Sequence, residues 1–306
     1  MTTADEGASQ LTVRELLGAL EIRLRASRVL ADANEDTNMA YEAREILSVL
    51  LSVSPGEVSR QSNQPVSASV VSRATAVVDR RILGEPLAYC LGSAAFRHLV
   101  LNVDSRVLIP RPETEIVVEE ALRVMRGHAG GVAVDIGTGS GAIALSLATE
   151  GTFDCVIATD LSPDALAVAE SNVRRLAPAH APIEFRLGAD LVPLQGMKAC
   201  LIVSNPPYIA HDEAASLPAS VRDWEPPLAL FAANGGMARY DALLATAPDC
   251  LETGGWLVLE VDSRRAEETA HRAMQDGRYT EVQLIRDLTG RHRVLVARSL
   301  GEISAK

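Results

Sequence analysis

The chain has 306 residues, about twice the roughly 150 of one typical domain, so two domains or one large domain with an appendage is expected. Apolar residues at 47% and charged residues at 23% exclude a mostly disordered or collagen-like chain. The 29 basic and 40 acidic residues give a net charge of −11, without the basic footprint of a protein that grips many phosphates, so a nucleic-acid substrate is disfavoured.

The first ten residues, MTTADEGASQ, are acidic and lack a basic stretch followed by an apolar one, so no signal peptide is expected. No apolar run approaches the ~20 residues of a membrane helix. A soluble cytoplasmic protein is the expectation. Residues 11–84 read as a small helical bundle. Val13, Leu16, Leu17, Leu20 and Leu24 share one helical face, as do Ala43, Ile46, Leu47 and Leu50, and then Val70, Ala74, Val77 and Val78. Pro55-Gly56 and Pro65 read as punctuation, and Gly84 as a helix end.

Between Tyr89 and Ile109, alternating Leu99, Leu101 and Val103 precede an Asp-Ser turn and Val107-Leu108-Ile109. This predicts a short β-hairpin linking the bundle to the rest. The expected organisation is therefore a helical domain over 1–88, a hairpin linker over 89–110 and a main domain over 111–306.

The main domain alternates strands and helices. Predicted strands are Val132–Ile136, Val156–Asp160, Ile183–Leu187, Leu201–Ser204, Trp256–Val261, Val282–Ile285 and Val294–Ala297. Ser162, Pro163 and Asp164 mark the start of the clearest helix. The alternation predicts a doubly wound, mostly parallel sheet that binds ligands at the carboxyl ends of its strands. Cys90, Cys155, Cys200 and Cys250 are widely spaced and read as reduced thiols, with no metal site expected.

Three constellations fall at that ligand edge. Asp135-Ile-Gly137-Thr138-Gly139-Ser-Gly141 follows the first predicted strand, and its glycines let the backbone turn tightly against a ligand. Asp160 ends the next strand, where a carboxylate accepts both ribose hydroxyls of an adenosine-bearing cofactor. These two leave nicotinamide nucleotides and S-adenosylmethionine both open. Ser204-Asn205-Pro206-Pro207-Tyr208-Ile209 decides between them. Two prolines stiffen the loop and remove backbone donors, so the Asn205 side-chain oxygen and the Pro206 carbonyl offer two acceptors to an NH2 group. Tyr208 offers a flat face to a planar amide or base. The pattern points to methyl transfer onto a planar nitrogen.

With those motifs in place, residues 89–297 resemble the release-factor glutamine methyltransferases, the HemK or PrmC family. The resemblance is carried by Leu108-Ile-Pro-Arg-Pro-Glu-Thr-Glu115, the Asp135–Gly141 loop, Ala158-Thr-Asp160-Leu161-Ser162, Val203–Ile209, Glu225-Pro226 and Asp287-Leu-Thr-Gly-Arg291, in that order. The helical bundle matches in size and position. The resemblance implies a class I S-adenosylmethionine-dependent methyltransferase fold: a Rossmann-like, seven-stranded, mostly parallel sheet with an N-terminal helical bundle and a β-hairpin linker. It implies S-adenosylmethionine as cofactor and, as substrate, the Gly-Gly-Gln glutamine of class I peptide release factors, with the bundle helping to grip that partner.

The expected cofactor set is Asp135, Gly137, Thr138, Gly139, Gly141, Asp160, Leu161, Asp190, Asn205 and Thr114. Asn205, Pro206, Pro207 and Tyr208 form the expected substrate set, and Asn205, Pro206 and Tyr208 the catalytic one. Asp190 is placed to meet the adenine amino group. By resemblance, Arg111 and Thr114 line the methionine end and Glu225 orders the acceptor loop. His211 reads as a surface residue. The chain departs from the family where Glu260-Val-Asp262-Ser-Arg-Arg265 replaces Glu-x-Gly-x-x-Gln, where Ala95 precedes Phe96, and at Phe231-Ala-Ala-Asn-Gly. Asp262 and Arg265 receive no role from it.

An amide nitrogen is a poor nucleophile, and no side chain removes its proton outright near neutral pH. The expected mechanism is therefore alignment: Asn205 and the Pro206 carbonyl hold the amide hydrogens and aim the lone pair at the methyl. Alternatives are a ribosomal-protein glutamine, a small-molecule amide, an exocyclic amino group of a nucleic-acid base, and a non-catalytic binding protein. The acidic balance argues against the nucleic-acid reading, and the intact motifs argue against the last.

Overall fold

The structure is a computed structural model that describes residues 11–32, 38–176 and 182–301, so the acidic N-terminal decapeptide lies outside the described residues. The chain divides into two compact units, Met1–Gly92 with Leu217–Trp224 and Ser93–Ser216 with Glu225–Lys306. Among the described residues, no helix is long and apolar enough to cross a membrane.

The first unit is helical, and its helices start where their caps dictate. Thr12 and Glu15 form a reciprocal capping box at Val13–Arg25, and Ser54 and Glu57 form another at Pro55–Arg60. Asn38 caps Met39–Leu51 and Ser67 caps Ala68–Arg81. Pro55 therefore opens a helix at its first position, which differs from the expected break: proline's missing N–H costs nothing there. Val13, Leu16, Leu20, Leu24, Ile46, Leu47, Ala74 and Val78 form the buried core, with Leu17, Leu50 and Val70 packed half-buried against it. Inside this unit Arg81 meets Glu42 in a buried two-pronged ion pair, with Nε–Oε2 and Nη2–Oε1 both at 2.9 Å.

The second unit opens with a hairpin of β1 (Ser93–Phe96) and β2 (Leu99–Asn102). Its turn lies at Arg97-His98, and Val107–Ile109 is not a strand, which corrects the expected turn at Asp104-Ser105. Arg97 has φ +51, and its N–H donates to Glu115 while its guanidinium pairs with Glu150. Tertiary contacts, rather than a glycine, hold this turn.

The main sheet contains β3 (Val132–Ile136), β4 (Cys155–Asp160), β5 (Ile183–Leu187), β6 (Ala199–Ser204), β7 (Leu251–Glu260), β8 (Tyr279–Arg286) and β9 (His292–Ser299). The spatial order is β5-β4-β3-β6-β7-β9-β8. Only β9 runs against the rest. This is the expected seven-stranded, mostly parallel, doubly wound sheet. Strand order reverses between β3 and β6, which places a ligand crevice beyond their carboxyl ends.

The helices Ala142–Glu150, Pro163–Leu176 and Ala238–Cys250 connect successive strands and cover the sheet. Ala142–Glu150 has buried residues all round, so its burial rather than an amphipathic stripe fixes the glycine loop that precedes it. Fully buried Asn172 ties three segments together. It accepts from Asn102 N at 2.7 Å and donates to Asn102 O at 3.0 Å and Ser140 O at 2.9 Å.

Candidate active site

The glycine loop leaves β3 and enters helix Ala142–Glu150. Gly137, Gly139 and Gly141 have φ of +71, +54 and +83, which L side chains adopt only under strain. A Cβ on Gly137 or Gly139 would meet nothing within 4 Å, so both present bare backbone to open space. Gly141 instead turns inward, where a Cβ would lie 3.3 Å from that of Ala169. Asp135 is fully buried beneath the loop and accepts from Thr138 Oγ1 at 2.6 Å and Ala144 N at 3.0 Å. Burial pushes its carboxyl up to about 7. Asp135 and Gly141 thus shape the loop from below and are absent from the cavity wall, while Gly137, Thr138 and Gly139 line it.

Asp160 ends β4 facing the same cavity. Its Oδ2 accepts from Gly139 N and its Oδ1 from Ser162 N, each at 2.9 Å, so the carboxylate is fixed between the loop and the helix start. Burial raises its pKa against those two donors. Leu161 also lines the cavity and is 45% exposed, an apolar surface beside the carboxylate. Asp190, in left-handed backbone at φ +47, lines the cavity as well. Its two oxygens accept from Arg239 Nη1 at 3.1 and 3.0 Å, a partner that sequence reasoning missed.

Asn205, Pro206 and Pro207 line the cavity at the end of β6. Asn205 Nδ2 donates to Thr114 Oγ1 at 3.1 Å, and Thr114 Oγ1 donates its own proton to Glu260 Oε2 at 2.6 Å. Because the Thr114 proton is committed to Glu260, Thr114 receives from Asn205 only through a lone pair. The Asn205 amide is thereby oriented with nitrogen toward Thr114 and Oδ1 left as an acceptor. Oδ1 makes no hydrogen bond among the described residues.

Glu260 closes β7, is 1% exposed, and is pushed up to about 7 by burial. It too was missed in the sequence, although a lone carboxylate ending the apolar run from Trp256 at the ligand edge is a usable signal. Glu225, expected to order the acceptor loop, clamps a different segment: it accepts from Ile109 N at 3.1 Å and pairs with Arg111.

Tyr208 departs from its expected place. It is absent from the cavity wall, and its half-buried side chain packs against the hydrophobic core cluster of the main sheet. The next residue, Ile209, pairs with a neighbouring segment: its N–H donates to Leu230 O and its carbonyl accepts from Ala232 N. His211 is exposed and stacks on Phe231 with ring centroids 5.3 Å apart, in keeping with a surface role.

Two domain families match the chain: the PrmC N-terminal domain over residues 21–92 and the methyltransferase small domain over residues 114–220. The release factor glutamine methyltransferase of Moorella thermoacetica is 37% identical over 287 residues, 94% of this chain and 98% of that one. The chain belongs to the release factor glutamine methyltransferase family. The family's member from Cereibacter sphaeroides is 36% identical over 259 residues, 85% of this chain and 91% of its own. A methyltransferase from Pyrococcus furiosus shares the fold at 20% identity and TM-score 0.51, over 73% of this chain and 98% of that one.

The residues present fit the methyl donor that a release factor glutamine methyltransferase requires. Gly137 and Gly139 leave room that a Cβ would fill, Asp160 supplies paired acceptors for vicinal hydroxyls, and Leu161 supplies an apolar face. Among the described residues no cluster of side chains could hold a metal ion.

Proposed function

We propose that this chain methylates the side-chain amide nitrogen of the glutamine in the Gly-Gly-Gln motif of class I peptide release factors, acting in the cytoplasm. The reading rests on family membership and on one observation: the Glu260–Thr114–Asn205 chain, which leaves Asn205 Oδ1 free as an acceptor at the cavity wall. S-adenosylmethionine supplies, when bound, a methyl group made electrophilic by a sulfonium. Gly137, Thr138, Gly139, Asp160 and Leu161 would hold it, and Asp190 with Arg239 lines the same cavity.

The chain's own contribution is alignment. Asn205 Oδ1 and the Pro206 carbonyl each accept one hydrogen of the substrate carboxamide, which is the reverse of what an ester or acid could offer. Holding both hydrogens fixes the nitrogen and turns its lone pair toward the donor. Positioning of this kind lowers a barrier by up to ~7–11 kcal/mol in favourable cases. No group in the cavity is basic enough to deprotonate an amide, so the proton leaves after methyl transfer, to water.

Replacing Asn205 by alanine tests the reading. Removing one preorganised hydrogen-bonding group from an active site costs about 10²–10³ in kcat. Asn205→Ala is expected to lose turnover on that scale while binding S-adenosylmethionine normally in calorimetry. Surviving turnover, or donor binding that collapses with it, contradicts the assigned role.

A further inference from the structure

The acceptor loop has an unusual mechanical problem. Pro206 and Pro207 carry no N–H, so the stretch that presents the Pro206 carbonyl cannot be pinned by its own backbone donors. Its position is set by its flanks. On the near side Ser204 Oγ donates to Ile136 O at 2.8 Å and Asn205 to Thr114. On the far side Ile209 pairs with Leu230 and Ala232 through two backbone bonds, and the next residue, Ala210, donates its N–H to Glu213 Oε2 at 2.9 Å.

Glu213 is in turn held by two arginines, of which Arg265 departs from the family pattern and Arg264 is its neighbour in sequence. Arg265 Nη2 donates to Glu213 Oε2 at 2.8 Å and Arg264 Nη1 to Glu213 Oε1 at 2.6 Å. Arg265 Nε also donates to Gly235 O at 2.7 Å. Next to it, Gly236 has φ +87, and a Cβ there would lie 2.2 Å from Tyr208 O and 2.5 Å from Arg265 Nε. Gly236, Arg265 and the Tyr208 carbonyl are therefore crowded together. The Arg265 side chain is only 12% exposed, against 59% for Arg264, so Arg265 is the enclosed member of the pair. Asp262 shapes the turn that presents both arginines. It accepts from Arg264 N at 2.9 Å, and its own N–H donates to the buried Tyr240 hydroxyl at 3.1 Å.

We propose that Arg265 is a positioning residue for methyl transfer: through Glu213 and Gly235 it fixes the far flank of the acceptor loop, and with it the Pro206 carbonyl. The proposal rests on the assignment of Asn205 and Pro206 to the carboxamide. It assigns the Asp262–Arg265 departure a purpose: an ion-pair lock built from this chain's own residues.

The test uses the full chain, S-adenosylmethionine and an intact release factor. Arg265→Met keeps the bulk of the stem and removes the donors. It is expected to lower kcat about tenfold or more while leaving donor affinity within about twofold, since Arg265 touches nothing in the donor cavity. Glu213→Gln is expected to fall by a similar factor, and the double variant no further than Arg265→Met alone, because one lock is broken in each case. Arg265→Lys, which retains the charge, is expected to recover part of the loss. Amide hydrogen exchange provides the readout independent of activity: in Arg265→Met, exchange at Ala210 speeds up about tenfold while the Gly137–Gly141 loop is unchanged. Unaltered kcat with unaltered exchange at Ala210, or losses that multiply in the double variant, overturn the proposal. A wild-type chain that fails to methylate the release factor sinks the assigned reaction instead, and the exchange measurement then still decides whether Arg265 holds the loop.

Discussion

Replacing Thr114 by valine separates two roles for a residue that the sequence assigned to the cofactor. The change is close to isosteric at a 5% exposed position, so little shape is lost. Two hydrogen bonds are lost: 3.1 Å from Asn205 and 2.6 Å to Glu260. A neutral bond contributes about 1 kcal/mol and one to a charged group about 1.5–3 kcal/mol. Glu260, raised by burial to about 7, is partly protonated near neutrality, so its bond falls toward the lower figure. The expected destabilisation is about 2–3 kcal/mol, read by urea unfolding. For activity the Asn205 bond is what counts. Without it the amide can flip and face the substrate NH2 with its own NH2, two donors against each other. Loss of about 1–1.5 kcal/mol of orientation predicts kcat down about five- to fifteen-fold, well short of the Asn205→Ala loss. Thr114→Ser should recover most of it. S-adenosylmethionine affinity, measured by calorimetry, should stay within about twofold, since the Thr114 hydroxyl is already committed at both ends. A large loss of donor affinity with kcat unchanged would refute the reasoning and make Thr114 a cofactor ligand.

Three further outcomes are expected. Asp160→Ala should weaken S-adenosylmethionine binding about 10–100-fold in calorimetry, the scale of a charged hydrogen-bonding group, and unchanged affinity would remove Asp160 from the ribose site. Burial raises Asp135 from 3.8 to about 7, so the folded chain binds that proton more tightly than the unfolded one. Stability then falls as pH climbs from about 4 to about 7 and levels off above, by roughly 4 kcal/mol for this group alone. Urea unfolding at pH 5 and pH 8 should show that loss shrinking in Asp135→Asn, and an unchanged slope would contradict it. Burial also pushes the Cys200 thiol up to about 11 and the Cys90 thiol up to about 12, so mass spectrometry after iodoacetamide treatment of the folded protein at pH 8 should find both unmodified.

Much of the sheet is legible in the sequence because buried parallel strands are plain apolar runs. Val132–Ile136 and Ile183–Leu187 are found at their predicted limits. β7 starts five residues before the predicted Trp256, because Thr253-Gly254-Gly255 interrupts the apolar run while the pairing with β6 absorbs the irregularity. The β1–β2 turn was misplaced because Arg97 adopts positive φ on the strength of Glu115 and Glu150, 18 and 53 residues away. The cavity wall around Gly137, Gly139 and Asp160 is equally readable, since these residues sit within one strand–helix–strand unit. The acceptor side is not. Thr114 meets Glu260 across 146 residues and Asn205 across 91, and only the sheet order brings the three together. Tyr208 was expected to offer its flat face to the substrate because it ends the Asn-Pro-Pro-Tyr motif, whereas its side chain packs half-buried against the core cluster and does not line the cavity.

The central claim is that a carboxamide, held by both hydrogens, is the group that receives the methyl. Its most direct measurement is transfer of labelled methyl from S-adenosylmethionine to purified class I release factor, comparing the intact Gly-Gly-Gln segment with one carrying glutamate for glutamine. The account predicts label on the glutamine side-chain nitrogen in the first and none in the second. Equal labelling of both proteins, or label that follows a co-purifying nucleic acid, would contradict it.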